Sequence, residues 1–265
     1  MGLFGHWHAL RAAALACVLV WFGPIAGVSA GTLDSYQALE LAGPSAEPFG
    51  LSSTPVYAGD LRDKWLGVAR KLDDERVQLA LCDGDRDNCA SPAALQFLSI
   101  VDSGRARDGR ARLGEINRAI NLAIHPMSDL AQYGEVDVWS SPLVTFYRRA
   151  GDCEDYAIAK YIALLEAGIA ADDLRIVILR DTLSGDDHAV AAARLDGQWL
   201  MLDNRRMAMI EDNYVRNYRP MFVIDQSGLM KYADPPLLAS LPGRGSLPAA
   251  SSDSVAEPGL IAASN

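Results

Sequence analysis

The chain has 265 residues, half of them apolar and 22% charged, with a formal net charge of −10 and a pI near 4.8. That composition suits one enzyme-sized domain with appendages and excludes a wholly disordered chain, a fibrous repeat or a polytopic membrane protein. The acidic balance disfavours nucleic acid as a partner, because phosphate backbones are repelled. Four cysteines are too few to frame a fold with disulfides.

Residues 1–30 read as a secretory leader. Arg11 is their single Lys or Arg, no acid is present, and the apolar run AAALACVLVWF has the length of a signal core. Gly23-Pro24 breaks the run, and Val28-Ser29-Ala30 fits the small-x-small rule, which places cleavage after Ala30 and implies export. The other reading is an uncleaved anchor. Cleavage would remove Cys17, His6 and His8. In an oxidising compartment Cys82 and Cys89 can close the loop CDGDRDNC, and Cys153 is left over. A leftover cysteine in an exported protein is an intermolecular partner or a reactive thiol.

Residues 31–59, rich in Gly, Pro and Ser, show no sustained period and read as an extended N-terminal arm. From Asp60 to about Leu81, the apolar residues Leu61, Trp65, Val68, Leu72, Val77 and Leu81 recur at helical spacing. Asp83, Asp85 and Asp87 imitate the start of an EF-hand loop, but its twelfth position is Ala94 rather than Glu, so a solvated disulfide turn is expected. Helical patterns follow over 91–101 and 109–124. Ser91-Pro92 supplies a cap and a first-turn proline. Ile116, Ile120 and Ile124 share a core face, with Asn117 and Asn121 beside it, and His125-Pro126 ends the helix.

The loop MSDLAQYGEVDVWSSP leads to a short helix around Leu143–Arg149. GDCEDYAIAKYIALLEAG then reads as a strongly apolar helix closed by Gly168. Here the period becomes that of strands. LRIVILR at 174–180 is a buried strand, HAVAAARL and QWLMLDN pair across an Asp196-Gly197 turn, and PMFVID at 220–225 is another strand. Residues 239–265 form a Pro/Gly/Ser/Ala tail with no means of building a core. The predicted domain is therefore 60–238, an α+β fold with N-terminal helices packed on an antiparallel β-sheet.

Cys153 stands at the head of a predicted helix, where free backbone N–H groups and the positive dipole end favour a thiolate and can hold an oxyanion. Its neighbours Asp152, Glu154 and Asp155 oppose this, because carboxylates repel a thiolate. Either a hard cation such as Ca2+ neutralises them, or they simply cap the helix. A cysteine nucleophile needs a base and an orienting group. With Asp196-Gly197 as the turn, His188 opposes Arg205 and Asp203 opposes Val190. His188 and Asp203 then become diagonal neighbours on one face, roughly 7–8 Å apart at Cα. Cys153, His188 and Asp203 are the candidate nucleophile, base and orienting acid.

The runs YGEVDVWSSP, GDCEDYAIAKYIALLEAG, DDHAVAAAR and WLMLDN, between about Lys64 and Asp225, resemble the bacterial transglutaminase-like cysteine proteinases, and within them the LapG-type periplasmic proteases. The resemblance implies a papain/transglutaminase-like core with Cys153 as nucleophile, His188 as base and Asp203 as its orienting acid. It also implies bound calcium held by Asp152 and Glu154, with Asp155 as an addition. Further implied are a large surface adhesin as substrate, cut near its N-terminus at a di-alanine site to disperse biofilm, and an inner-membrane cyclic-di-GMP receptor that sequesters the protease. Trp139 is a candidate to pack beside the thiol, with a plain core tryptophan as the other reading. Two alternatives stay open on the residues: a transglutaminase or amidase using the same thiol, and a non-catalytic module gripping a partner with its acidic loop.

Overall fold

The computed structural model describes residues 47–233. The leader, most of the arm and the tail from 239 lie outside the described residues. Within the stretch read as an arm, residues 48–50 form a 3-10 turn and Ser53–Pro55 form strand β1, which extends the main sheet at one edge. Three residues are too short to display a period, so this strand leaves no signal in the sequence.

Helix α1 covers Asp60–Gly84 and turns Trp65, Val68, Leu72, Glu75, Leu79 and Cys82 inward. The inward stripe keeps Trp65, Val68 and Leu72 of the predicted face but not Val77 and Leu81, which are exposed. A buried acid, Glu75, interrupts the apolar pattern and disguises it. A disulfide joins Cys82 to Cys89 directly after the helix. Helix α2 (Pro92–Arg105) starts as its sequence dictates, with Pro92 in the first turn and Ser91 Oγ accepting the Ala94 N–H at 3.2 Å. Helix α3 (Gly109–Ala123) buries Leu113, Ile116 and Ile120. Gly104 of α2 lets the two helices close up, since a Cβ there would lie 2.5 Å from Ile116 Cδ1.

His125 and Pro126 form β2, which pairs in parallel with β3 (Ala150–Gly151). Between them lie α4 (Asp129–Tyr133) and α5 (Pro142–Arg148). Glu75 of α1 caps α5 from a distance: its carboxylate accepts the Ser141 hydroxyl and the Leu143 N–H. Burial pushes the Glu75 carboxyl above its ordinary value, and those two donors pull it back. Helix α6 (Cys153–Glu166) is buried along nearly its whole length.

The remaining strands are β4 (Leu174–Asp181), β5 (Asp187–Leu195), β6 (Gln198–Leu202), β7 (Ile210–Glu211), β8 (Tyr218–Asp225) and β9 (Gly228–Tyr232). They form one antiparallel sheet in the order β1-β9-β8-β4-β5-β6-β7. Alternation along the strands splits the core. Ile176, Ile178, Ala189, Ala191, Ala193, Leu200 and Ile224 face the helices. Val177, Leu179, Val190, Ala192, Met201 and Val223 face the other way, with Phe49, Leu51 and Val215 packed against them. The class is the expected α+β arrangement. No helix of the described residues is long and apolar enough to cross a membrane.

Candidate active site

Three parts of the chain meet in one cleft of about 630 Å³, lined among others by Asp129, Trp139, Asp152, Cys153, Glu154 and His188. Helix α6 delivers Cys153 as its first residue. The hairpin delivers the other two groups. Its turn residues Asp196 and Gly197 both have positive φ, 51° and 80°, as a two-residue hairpin turn requires. The register pairs Ala191 with Leu202 and Leu195 with Gln198. Extrapolated, it sets His188 level with Arg205 and Asp203 level with Val190. The pairing itself stops at Leu202, and the freed Asp203 side chain turns to the histidine: His188 Nε2 lies 2.9 Å from Asp203 Oδ1.

Asp203 is thoroughly held. Its Oδ1 also accepts the Arg205 N–H at 2.9 Å, and its Oδ2 accepts the Tyr218 hydroxyl at 2.7 Å. Burial alone would raise this carboxyl, but the bond to His188, the His188 charge and the two other donors hold it well below the usual carboxylate range. It therefore stays ionised. His188 is 1% exposed, and its Nδ1 is buried without a partner among the described residues. With Nε2 committed to Asp203, Nδ1 is the nitrogen left free to take a proton.

The sulfur itself is not a ready thiolate. Burial and then the Glu154 charge push the Cys153 thiol well up, outweighing a backbone hydrogen bond from Ala189. Its Sγ lies 3.2 Å from Glu154 Oε2. The help expected from the helix terminus is thus overridden first by burial and then by the Glu154 charge, the second of which the like-charge argument anticipates.

Those acids form a cluster. Asp129, Asp152 and Glu154 each offer an oxygen within 4.8 Å of the others. Sequence reasoning missed Asp129, the first residue of the short helix α4. Its only signal was membership of the acidic run MSDLAQYGEVDV. Asp129 Oδ1 and Asp152 Oδ1 are buried and unpartnered among the described residues. Burial, reinforced by Glu154, pushes the Asp152 carboxyl up to about 9, and burial also raises Glu154 and Asp129. Asp152 makes no side-chain capping bond to α6, so helix capping does not account for it. An all-oxygen set suits a hard cation, and ligand oxygens 2.3–2.6 Å from Ca2+ lie at most about 5 Å apart, which this cluster satisfies.

Asp155, the third acid read from the sequence as a ligand, is not in that cluster. It is fully buried, and its Oδ1 accepts the Ser140 N–H at 2.8 Å, which ties α6 to the Asp137–Ser141 loop. Burial pushes it up to about 7. Gly151 leaves it room, because a Cβ there would sit 2.7 Å from Asp155 Cβ. Trp139 is 7% exposed and lines the cleft, with its indole N–H on Asp137 Oδ1 at 2.9 Å.

The family model for the bacterial transglutaminase-like cysteine proteinases (BTLCP) matches residues 78–229. No curated protein sequence matches the chain. Among solved structures, Legionella pneumophila LapG (EGTA-treated) is 22% identical, covering 60% of this chain and 86% of its own, with a TM-score of 0.50. The calcium-bound form of Legionella pneumophila LapG is 23% identical, covering 55% of this chain and 82% of its own, with a TM-score of 0.47. A solved structure from Cytophaga hutchinsonii is 20% identical, covering 53% of this chain and 51% of its own, with a TM-score of 0.34. At these identities the structures speak to fold alone. The family match spans more than half of the chain and includes the cysteine, histidine and aspartate blocks, so the chain belongs to the bacterial transglutaminase-like cysteine proteinases.

Proposed function

We propose that this cysteine proteinase is a calcium-dependent endopeptidase of the periplasm, with Cys153, His188 and Asp203 as its catalytic triad. The observation that carries the reading is the histidine: Nε2 is bonded to Asp203, Nδ1 is buried and unpartnered among the described residues, and His188 lines the same cleft as Cys153. Nδ1 takes the thiol proton, and the thiolate attacks a peptide carbonyl. Backbone N–H groups at the head of α6 hold the oxyanion. The imidazolium returns the proton to the leaving amine, leaving a thioester. Water, deprotonated by the same ring, releases the acid and restores the thiol.

Asp129, Asp152 and Glu154 would hold the calcium. Bound there, it supplies positive charge that neutralises the carboxylates crowding the thiol. For the substrate we take a large surface adhesin, cut near its N-terminus between two alanines so that biofilm disperses. For the regulator we take an inner-membrane cyclic-di-GMP receptor. Export follows from the leader, with cleavage after Ala30. These assignments are supported by the resemblance of the GDCEDYA, DDHAVAAAR and WLMLDN runs to LapG-type proteases.

The test is incubation of purified protein with adhesin N-terminal fragments, read by mass spectrometry. One cut between two alanines is expected with calcium and none with EGTA. Cys153→Ala and His188→Ala should fold normally and cut nothing. Undiminished cleavage by either variant would remove the triad, and indifference to EGTA would remove calcium. A product gaining mass through an isopeptide bond would show that an amine replaces water.

A further inference from the structure

Lys160 is the side chain that the chemistry above leaves unexplained. It lies two turns after Cys153 on α6 and is 0% exposed. Its Nζ donates to the Leu202 carbonyl at 3.1 Å, the only acceptor it has among the described residues, and sits 5.8 Å from the centroid of the Tyr156 ring. Burying an ammonium with one of three donors used is costly, and a methionine would fill the same space without that cost. Packing therefore gives no reason for a lysine.

Its acceptor does. Leu202 O belongs to the peptide unit entering Asp203, and Asp203 O belongs to the unit leaving it. Asn121 of α3 donates to Asp203 O at 3.1 Å. The two side chains thus hold both peptide units flanking the Asp203 Cα where the β5–β6 ladder closes: Leu202 is its last paired residue, opposite Ala191, and beyond it the Asp203 carbonyl is held by Asn121 and the Arg206 N–H rather than by a strand. We propose that Lys160 is a positioning residue, its amine pinning the Leu202 carbonyl so that the Asp203 carboxylate meets His188 Nε2. This rests on the proposed function, since it takes His188 as the partner of Cys153. Burial lowers the lysine to about 7, against a pull upward from Asp203. The pin survives in either state, because amine and ammonium both donate.

The test uses the full chain with calcium added, with iodoacetamide at pH 7 as the probe and alkylation of Cys153 read by mass. The ring nitrogens of His188 are followed by NMR, assigned against His188→Ala, and melting is recorded for every variant. Lys160→Met and Lys160→Gln, the latter one bond too short to reach the carbonyl, should alkylate about tenfold or more slowly and shift the His188 signals. Neither should melt far below wild type. Lys160→Arg, a long donor, should recover much of the rate. Should Lys160→Met not fold, Lys160→Gln decides alone. A rate within about twofold of wild type in a folded variant, or a slow rate with unmoved His188 signals, would overturn the inference. A wild-type thiol no faster than free cysteine would instead overturn the proteolytic reading beneath it.

Discussion

Lys160 also makes a prediction that needs no substrate. An unfolded lysine titrates at 10.5, whereas burial lowers this one to about 7 in the fold. Between those values the unfolded chain holds a proton that the native chain lacks, so stability must rise with pH across the window. At about 1.4 kcal/mol per pH unit, the whole window is worth about 5 kcal/mol. Other groups intrude. Asp152, raised to about 9, acts in the opposite sense below that pH, because there the native chain binds the extra proton. Tyr156, raised to about 12, does the same above the ordinary tyrosine range. Both are common to wild type and Lys160→Met, so the difference between the two proteins isolates the lysine. From about pH 7.5 to 9.5 the wild type should gain about 3 kcal/mol on the variant. Urea unfolding followed by tryptophan fluorescence at several pH values measures it. Parallel stability curves would show that water or a counter-charge keeps the ammonium near its ordinary pKa, and the account of its burial would be wrong.

Three further predictions concern the site and its scaffold. Tyr218→Phe removes a 2.7 Å bond to the buried Asp203 carboxylate. It should cost about 1.5–3 kcal/mol in urea unfolding and lower kcat more than it raises KM; unchanged stability would mean the hydroxyl is dispensable. Asp129→Asn should weaken calcium binding about tenfold or more in titration calorimetry while leaving the melting of the calcium-free protein near wild type. Equal affinity would take Asp129 out of the ligand set. Gly197→Val forces a β-branched residue to a φ of 80°. It should lose about 1–2 kcal/mol of stability yet keep peptidase activity below its melting point; loss of activity in the folded variant would show that the turn alone sets the register.

Where a strong local rule operated, the sequence was readable. Ser91-Pro92 announces the start of α2, and Asp196-Gly197 lets the hairpin register be counted from the residues alone. The stripe on α1 is legible through Leu72 and lost beyond it, because a buried Glu75 occupies an inward position and exposed Val77 and Leu81 imitate one. Strands β1 and β7, of three and two residues, are shorter than any period can reveal. Asp129 joins the acidic cluster only because β2 and β3 pair His125 with Ala150 and so bring two distant loops together, a tertiary event with no local signature. Lys160 did leave a mark: a lone charge inside AIAKYIALL, on a helix apolar all round, must be buried and must have an acceptor.

The meeting of His188 with Asp203 depends on register more than on either residue, because a slip of one position would send one of the two side chains to the opposite face of the sheet. Two independent features oppose that slip. The turn admits only residues tolerant of positive φ, and Asp-Gly satisfies it at one position. The alternation of β5 supplies the second: Ala189, Ala191 and Ala193 pack under the helices while Val190 and Ala192 join the opposite core. Both sets are small, so neither face would be emptied of apolar groups by a slip, and volume alone discriminates weakly. Charge discriminates more strongly. A slipped strand would put Arg194 beneath the helices, where it would lose its 2.8 Å bond to Asp173 and be buried without a counter-ion. The arginine at the far end of the strand thus helps to hold the histidine at the near end in place, and the catalytic geometry is specified along the whole ribbon rather than at its tip.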